Sequence, residues 1–271
     1  TYFEQNPKFA SALRMSTFGF GYKLDSKLLL ELAEAAKGTT AFIPDAVITG
    51  TVFVNAIANV LSVHTPAATL HLTPKHDATF AGPVLGGMPV VDTSWGRVVD
   101  LGPLQSGQTR DVVVPLSIAE HAKGAYLEAS LTATNPCSGE QACLATVLAS
   151  HRGGTAWAVL GTMRARAVTV TRACIVDGER GNGQKATADM ARLCGDLKAA
   201  LNTLQRLPTG DEGAAQQREE LAAMLGDVQG RMTKALKGKP RFDRWGRHYL
   251  RAIMRAHQLQ VCTNFMDGGL Q

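Results

Sequence analysis

The apolar positions of this chain change rhythm twice, and the three stretches so divided are different kinds of structure. Ser16–Gly21 alternates aromatic with small or polar residues, which predicts a short strand. Its terminal glycines let other backbone pass close to that edge. Asp25 or Ser26 can cap a following helix, in which Leu28, Leu29, Leu32 and Ala36 form one apolar face and Glu31 and Glu34 lie off it. Gly38 is the expected end of that helix. Thr39–Ile43 predicts a second strand, stopped by Pro44. Val52, Ile57, Val60 and Leu61 mark a helix over roughly Thr49 to Ser62.

From His64 onward the apolar runs shorten and turn signals multiply. Leu70–Thr73, Arg97–Leu101, Asp111–Leu116 and Ala125–Ala133 fit strand patterning. Turns are expected at Pro74, Gly86–Gly87, Gly102–Pro103, Ser106–Gly107 and Lys123–Gly124. Asp100–Val112 reads as two strands joined tightly. This spacing suggests an antiparallel β-sandwich.

The rest of the chain reads as helix. Met163, Ala167, Val170 and Cys174 recur at helical spacing, although the β-branched Val168–Thr171 run argues for strand. Gly178–Gly183 is expected to be a flexible loop. Ala186–Leu207 and Glu212–Leu236 predict an antiparallel hairpin joined around Pro208–Gly210. Pro240 starts a last helix with Phe242, Trp245, Tyr249 and Ile253 on one side. The fold class is therefore α+β in parts: an incomplete Rossmann-like α/β segment over 1–63, an antiparallel β-sandwich over 64–155, and a helical hairpin region over 156–271. A parallel strand at 16–21 with few neighbours would have an open edge, so residues 1–63 should pack on the sandwich or need a partner.

Composition narrows the class. The chain has 271 residues, 45% apolar and 19% charged, as in ordinary globular proteins. No apolar run approaches the roughly 18 residues of a membrane span. The net charge of +5 is uneven. Residues 231–255 carry Arg231, Lys234, Lys237, Lys239, Arg241, Arg244, Arg247, Arg251 and Arg255 against Asp243 alone. Such a stretch can meet an acidic protein, an anionic membrane or nucleic acid, or be a solvated helix face. No nucleic-acid motif accompanies it, which argues against nucleic acid. The candidate partner-binding residues are Arg244, Arg247, Arg251 and Arg255. Cys137, Cys143, Cys174, Cys194 and Cys262 are odd in number and scattered, which suits a reducing, cytoplasmic compartment.

No catalytic or metal-ligating set assembles from the residues. Asp92-Thr-Ser-Trp-Gly96 comes nearest to an oxygen-rich cation loop but ends in glycine. Gly178–Lys185 is glycine-rich like a phosphate loop, but Gln184 separates Gly183 from Lys185 and no strand precedes it. Cys137, Cys143 and His151 have the wrong spacing for common zinc sites; a reversible Cys137–Cys143 disulfide or unrelated thiols are the other readings. His248 and His257 are nine residues apart in sequence, about two and a half turns, and so face opposite sides of one helix.

Two stretches resemble one family. Ser16-Thr-Phe-Gly-Phe-Gly-Tyr-Lys-Leu-Asp-Ser-Lys-Leu-Leu29, with Phe42–Asp45 and Gly50–Asn55, resembles the last third of a von Willebrand factor type A (VWA) domain. Arg244-Trp-Gly-Arg-His-Tyr-Leu250, continuing through Arg255–Asp267, resembles the connector region that follows such a domain and often precedes a hedgehog/intein-like (Hint) domain. The resemblance implies a binding domain, a sandwich-plus-helix connector and, in some members, a self-processing tail or a U-box with its ubiquitin link. The strands that carry the family's Mg²⁺ or Ca²⁺ ligands precede the part seen here, so no metal or cofactor is expected on these residues. The expected function is a non-catalytic scaffold segment, not an enzyme, that binds a protein partner. The alternative is a basic adaptor that uses residues 231–255 on an anionic partner.

Overall fold

A computed structural model describes Gln5 and residues 14–119, 124–150, 156–205 and 212–261. Strands β1 (Met15–Phe20) and β2 (Lys37–Ile43) pair in parallel, with helix α1 (Ser26–Ala35) between them in sequence. Asp25 caps α1 by accepting the amides of Lys27 and Leu28 at 3.0 Å. The Leu28 amide first, then that of Lys27, holds its carboxyl below the usual range. Strand alternation gives the pair two faces. Thr17, Gly19, Gly38, Thr40 and Phe42 share one face; Phe18, Phe20, Ala41 and Ile43 share the other. The first face receives α1, and Thr17 Oγ1 lies 2.9 Å from both Leu29 O and Thr40 Oγ1. The second receives helix α2 (Thr49–Leu61), whose Val52 packs with Ala41, Ile43 and Phe18.

Two local expectations change here. The buried stripe of α1 is Ser26, Leu30 and Ala33, while Leu28 and Leu32 point outward. Consecutive leucines gave the pattern two possible stripes, and tertiary packing selected the other one. Gly38 does not close α1, which ends at Ala36 with Lys37 in the left-handed region at φ 54°. Gly38 lies inside β2, where a Cβ would stand 2.0 Å from Met15 O. Its role is close strand approach.

The C-terminal half is helical, as expected. Helix α3 (Ala156–Glu179) absorbs the β-branched run, because Ala167, Val168 and Thr171 are buried on its packed side. Helix α4 (Gly183–Gln205) and helix α5 (Glu212–Asp227) follow. A π-helical turn (Val228–Met232), kinked at Gly230, leads into α6 (Thr233–Ala235). Short α7 (Lys239–Arg241), a second π-helical turn (Phe242–Gly246) and α8 (Arg247–Leu259) complete the run. Pro208–Gly210, Cys262 and residues 262–267 of the resemblance lie outside the described residues. Leu160, Met190, Leu193, Leu197, Leu221, Met232, Leu250 and Met254 form one core, which also takes in Leu30 and Phe42 from the opening segment.

The parts therefore group differently from their order in sequence. Residues 1–57 and 156–271 make one compact unit, and residues 58–155 make another. The opening α/β segment is built onto the C-terminal helices. The chain leaves the first unit, builds the second and returns.

In the second unit, five strands run in the order β5-β6-β3-β8-β9. They are β3 (Val63–Pro74), β5 (Val90–Asp92), β6 (Arg97–Gln105), β8 (Leu127–Thr134) and β9 (Gln141–Ala149). A two-stranded ribbon, β4 (Thr79–Phe80) with β7 (Leu116–Ser117), makes a smaller second layer. Phe80, Val84, Val112 and Val114 pack with Leu72, Val99 and Leu101 of the large sheet. Asp111–Pro115 is extended but outside the ladder; its carbonyls at Val113 and Pro115 accept from Leu85 and Ala81. Gly102–Pro103 is not a turn but a bulge within β6, with Gly102 at φ 67°. Lys123 and His151 lie outside the described residues.

Truncating the fully enclosed Leu197 to Ala should cost about 2–5 kcal/mol, read from the urea midpoint at unchanged m. Gly38→Ala should cost about 1–3 kcal/mol through the clash with Met15 O. A wild-type midpoint for Gly38→Ala would show that the β1–β2 approach is looser than described.

Candidate functional site

The sequence placed its candidate residues on the last helix, and α8 places them against the opening segment. His248 is enclosed, and its Nδ1 lies 2.7 Å from Ser26 Oγ. Arg251 Nη1 donates to the same Ser26 Oγ at 3.2 Å and to Arg247 O at 3.2 Å. Its Nη2 donates to Glu179 at the end of α3. Arg255 Nε donates to Gly38 O in β2 at 3.0 Å, and Nη1 donates to Gln258 at 2.9 Å. One helix thus ties α1, β2 and α3 together through cations.

This geometry corrects the reading of a basic outer face. Arg251 is 4% exposed and Arg255 is 6% exposed, so a partner cannot reach them in this arrangement. Acceptors on α1, α3 and β2 hold their charge, buried at Ser26 and Gly38 and exposed at Glu179. Arg244 is exposed, with its guanidinium 5.0 Å from the centre of the Tyr22 ring. Arg247 is half-buried, and its Nε has no hydrogen-bond partner. A sequence signal for the buried pair existed: positions 248, 251 and 255 follow helical spacing beside Ala252 and Ile253. Charge alone hid it.

The Ser26–His248 contact has the distance of a nucleophile and its base. Its surroundings are wrong for that chemistry. Both side chains are enclosed, and the other contact to the hydroxyl is a cation, Arg251, which stabilises no imidazolium. Burial, then the nearby Arg247, lowers the His248 pKa to about 4, with the Tyr22 backbone opposing. The ring is neutral at physiological pH.

His257 lies on the other side of α8, as its spacing requires. Its Nε2 is 3.6 Å from Asp227 Oδ2, too long for a hydrogen bond. Burial, then Arg164, lowers its pKa to about 4, and burial raises that of Asp227. Both shifts oppose an ion pair, so desolvation governs this contact.

The other candidate motifs are structural. Asp92 Oδ1 accepts from Arg97 Nε at 2.7 Å, and Thr93 and Gly96 close the β5–β6 turn. Gly178–Lys185 is no flexible loop: Gly178 ends inside α3, and Lys185 Nζ donates to Asp177 at 2.6 Å across a tight turn. Lys185 holds the Asp177 carboxyl below its usual range. Cys137 and Cys143 are exposed free thiols. Buried Cys174 is pushed up to about 12 by burial, then by Asp189 and Asp177. Among the described residues, no group of three or more His, Cys, Asp or Glu could hold a metal ion. Among them, too, no helix is long and apolar enough to cross a membrane.

A family model described as VWA / Hh protein intein-like matches residues 218–271, the segment that holds α8 and most of α5. The chain is similar to this family over its C-terminal end, and its fold is similar to a von Willebrand factor type A structure. The fold agrees: von Willebrand factor type A from Catenulispora acidiphila is similar at a TM-score of 0.55 and 14% identity, over 81% of this chain and 59% of that one. The ArnB paralog VWA2 from Sulfolobus acidocaldarius is similar at a TM-score of 0.43 and 14% identity, over 90% of this chain and 56% of that one. The chain therefore spans less than two thirds of either structure's length. No curated protein matches it.

The two depressed histidines set a pH dependence. Unfolding returns each to its ordinary pKa near 6.5, so the unfolded state binds more protons between about 6.5 and 4. Stability contributed here is full above 6.5 and falls as pH drops toward 4. His248→Gln should flatten part of that slope in urea melts taken across this window; an unchanged slope would place the proton uptake elsewhere.

Proposed function

We propose that this chain is a non-catalytic protein-interaction segment of a VWA-type protein. The observation that carries the reading is surplus apolar surface on the outer side of the β1–β2 pair. Phe20 is 61% exposed, Val54 66% and Ile57 57%, beside exposed Val47 and Phe53. Parallel strands are normally covered on both faces, and α2 brings more apolar side chains than two strands can cover. Apolar patches of this kind are where proteins meet other proteins.

The chemistry of the buried groups supports the non-catalytic part. The Ser26 hydroxyl sits between His248 and Arg251 in an enclosed layer, and the Cys174 thiol stays protonated. Exposed free thiols at Cys137 and Cys143 favour a reducing compartment such as the cytoplasm. A ubiquitin-pathway role or a self-processing step would belong to domains outside these residues. The basic-adaptor alternative retains Arg244 but loses Arg251 and Arg255 as contacts.

Val54→Lys with Ile57→Lys tests the surface. Folding stability should change by less than about 1 kcal/mol, because both side chains are exposed. Concentration-dependent association of the wild-type chain in light scattering should disappear in the double variant. Association that persists removes this surface from the reading. Turnover of a substrate traced to a residue of this chain would end the non-catalytic part.

A further inference from the structure

A pocket of about 610 Å³ opens between the α3–α4 turn and the segment that links α6 to α7. Its apolar wall is Ala188 and Ala191 on α4, Leu236, and the ring of Phe242. The small side chains on α4 leave the space open. Phe242 cannot move back to fill it through α3, because it already lies against Gly178, where a Cβ would stand 2.6 Å from the ring. Backbone lines another side at Gly181, Gly183 and Gly238. Gly181 and Gly238 have φ 84° and so need glycine for their turns. Gly183 does not: its φ is not left-handed, and a Cβ there would meet no other atom within 4 Å. The space beside Gly183 is therefore open room, not a gap that the fold requires.

The mouth is basic. Lys237 and Lys239 line it, both exposed, and no acidic side chain is among the lining residues. Lys239 reaches Asp243 at 2.8 Å on a largely solvated surface, a contact that a competing anion can share. Lys237 has no acidic partner among the described residues. The volume falls within the roughly 300–1,000 Å³ of small-molecule sites.

We propose that this pocket binds a small organic anion, with its apolar body against Ala188, Leu236 and Phe242 and its carboxylate, sulfonate or phosphate on Lys237 and Lys239. The site is independent of the protein-interaction surface and belongs to the unit that holds α3 to α8. The glycine-rich Gly178–Lys185 segment acquires a role here as a wall, without being a nucleotide loop.

The test uses 8-anilinonaphthalene-1-sulfonate as probe on the full 271-residue chain, followed by amide NMR shifts. Saturable one-to-one shifts at Gly181, Gly183 and Gly238 are expected. Ala188→Leu should weaken binding by about tenfold by filling the space. Lys237→Glu with Lys239→Glu, both on the surface, should weaken it by about fivefold and leave the fold intact. Octanoate should displace the probe and inorganic phosphate should not, because the apolar body is required. Displacement by phosphate alone would reassign the site to simple anion attraction and overturn the proposal. Shifts that are absent, that map elsewhere, or that survive both variants would also overturn it.

Discussion

The hydroxyl of Ser26 is the point on which the first unit depends. It faces His248 Nδ1 at 2.7 Å and accepts from Arg251 at 3.2 Å, so one oxygen at the start of α1 meets two side chains of α8. Arg255 adds a third polar tie at Gly38 O, and Glu179 completes Arg251 from α3. Ser26, His248, Arg251 and Arg255 are enclosed, so each would leave a costly unpaired partner if the other moved away. That constraint fixes how the first residues of the chain meet its last helix. It also accounts for the discontinuous unit: residues 1–57 share a core with 156–271 because Leu30 and Phe42 are buried beside Leu250 and Ile253 once the polar ties form.

The same docking explains the asymmetry of the β1–β2 pair. One face is covered by α1 and α8, with Thr17 and Thr40 satisfied in a dry layer. The other receives α2 alone. Phe18 stacks on Phe53 at 4.8 Å, but Phe20, Val54 and Ile57 continue the apolar surface into solvent. A fold can leave one face open only where water is tolerated or where something else binds. This connects the packing directly to the proposal of an interaction segment.

Much of the architecture was legible in the sequence. The β1–α1–β2–α2 succession was readable because its periods change at capped and broken positions: Asp25 caps, and Pro44 ends a strand. The helical region was readable from long apolar spacing, and the π-helical turns were not, because a single extra residue per turn leaves the apolar pattern almost unchanged. Strand β9 was missed: its apolar residues are exposed on both faces, so no buried alternation announced it. Asp111–Leu116 looked like a strand because valines suit extended backbone, yet Pro115 lacks the amide that a ladder needs.

The candidate site shows where local reading stops. By itself the sequence determined the β1–α1–β2–α2 succession, the Asp25 cap, the long C-terminal helices and the opposite facing of His248 and His257, since each rests on spacing along one element. Tertiary structure alone decided that the basic residues of the last π-helical turn and α8 divide into an exposed Arg244 and buried Arg251 and Arg255, and that two sequence-distant segments form one unit. The reason is physical. Charge predicts exposure only when no acceptor is available in the packed layer or at its rim, and the acceptors here, buried Ser26 Oγ and Gly38 O and the exposed Glu179, come from parts of the chain far from α8 in sequence.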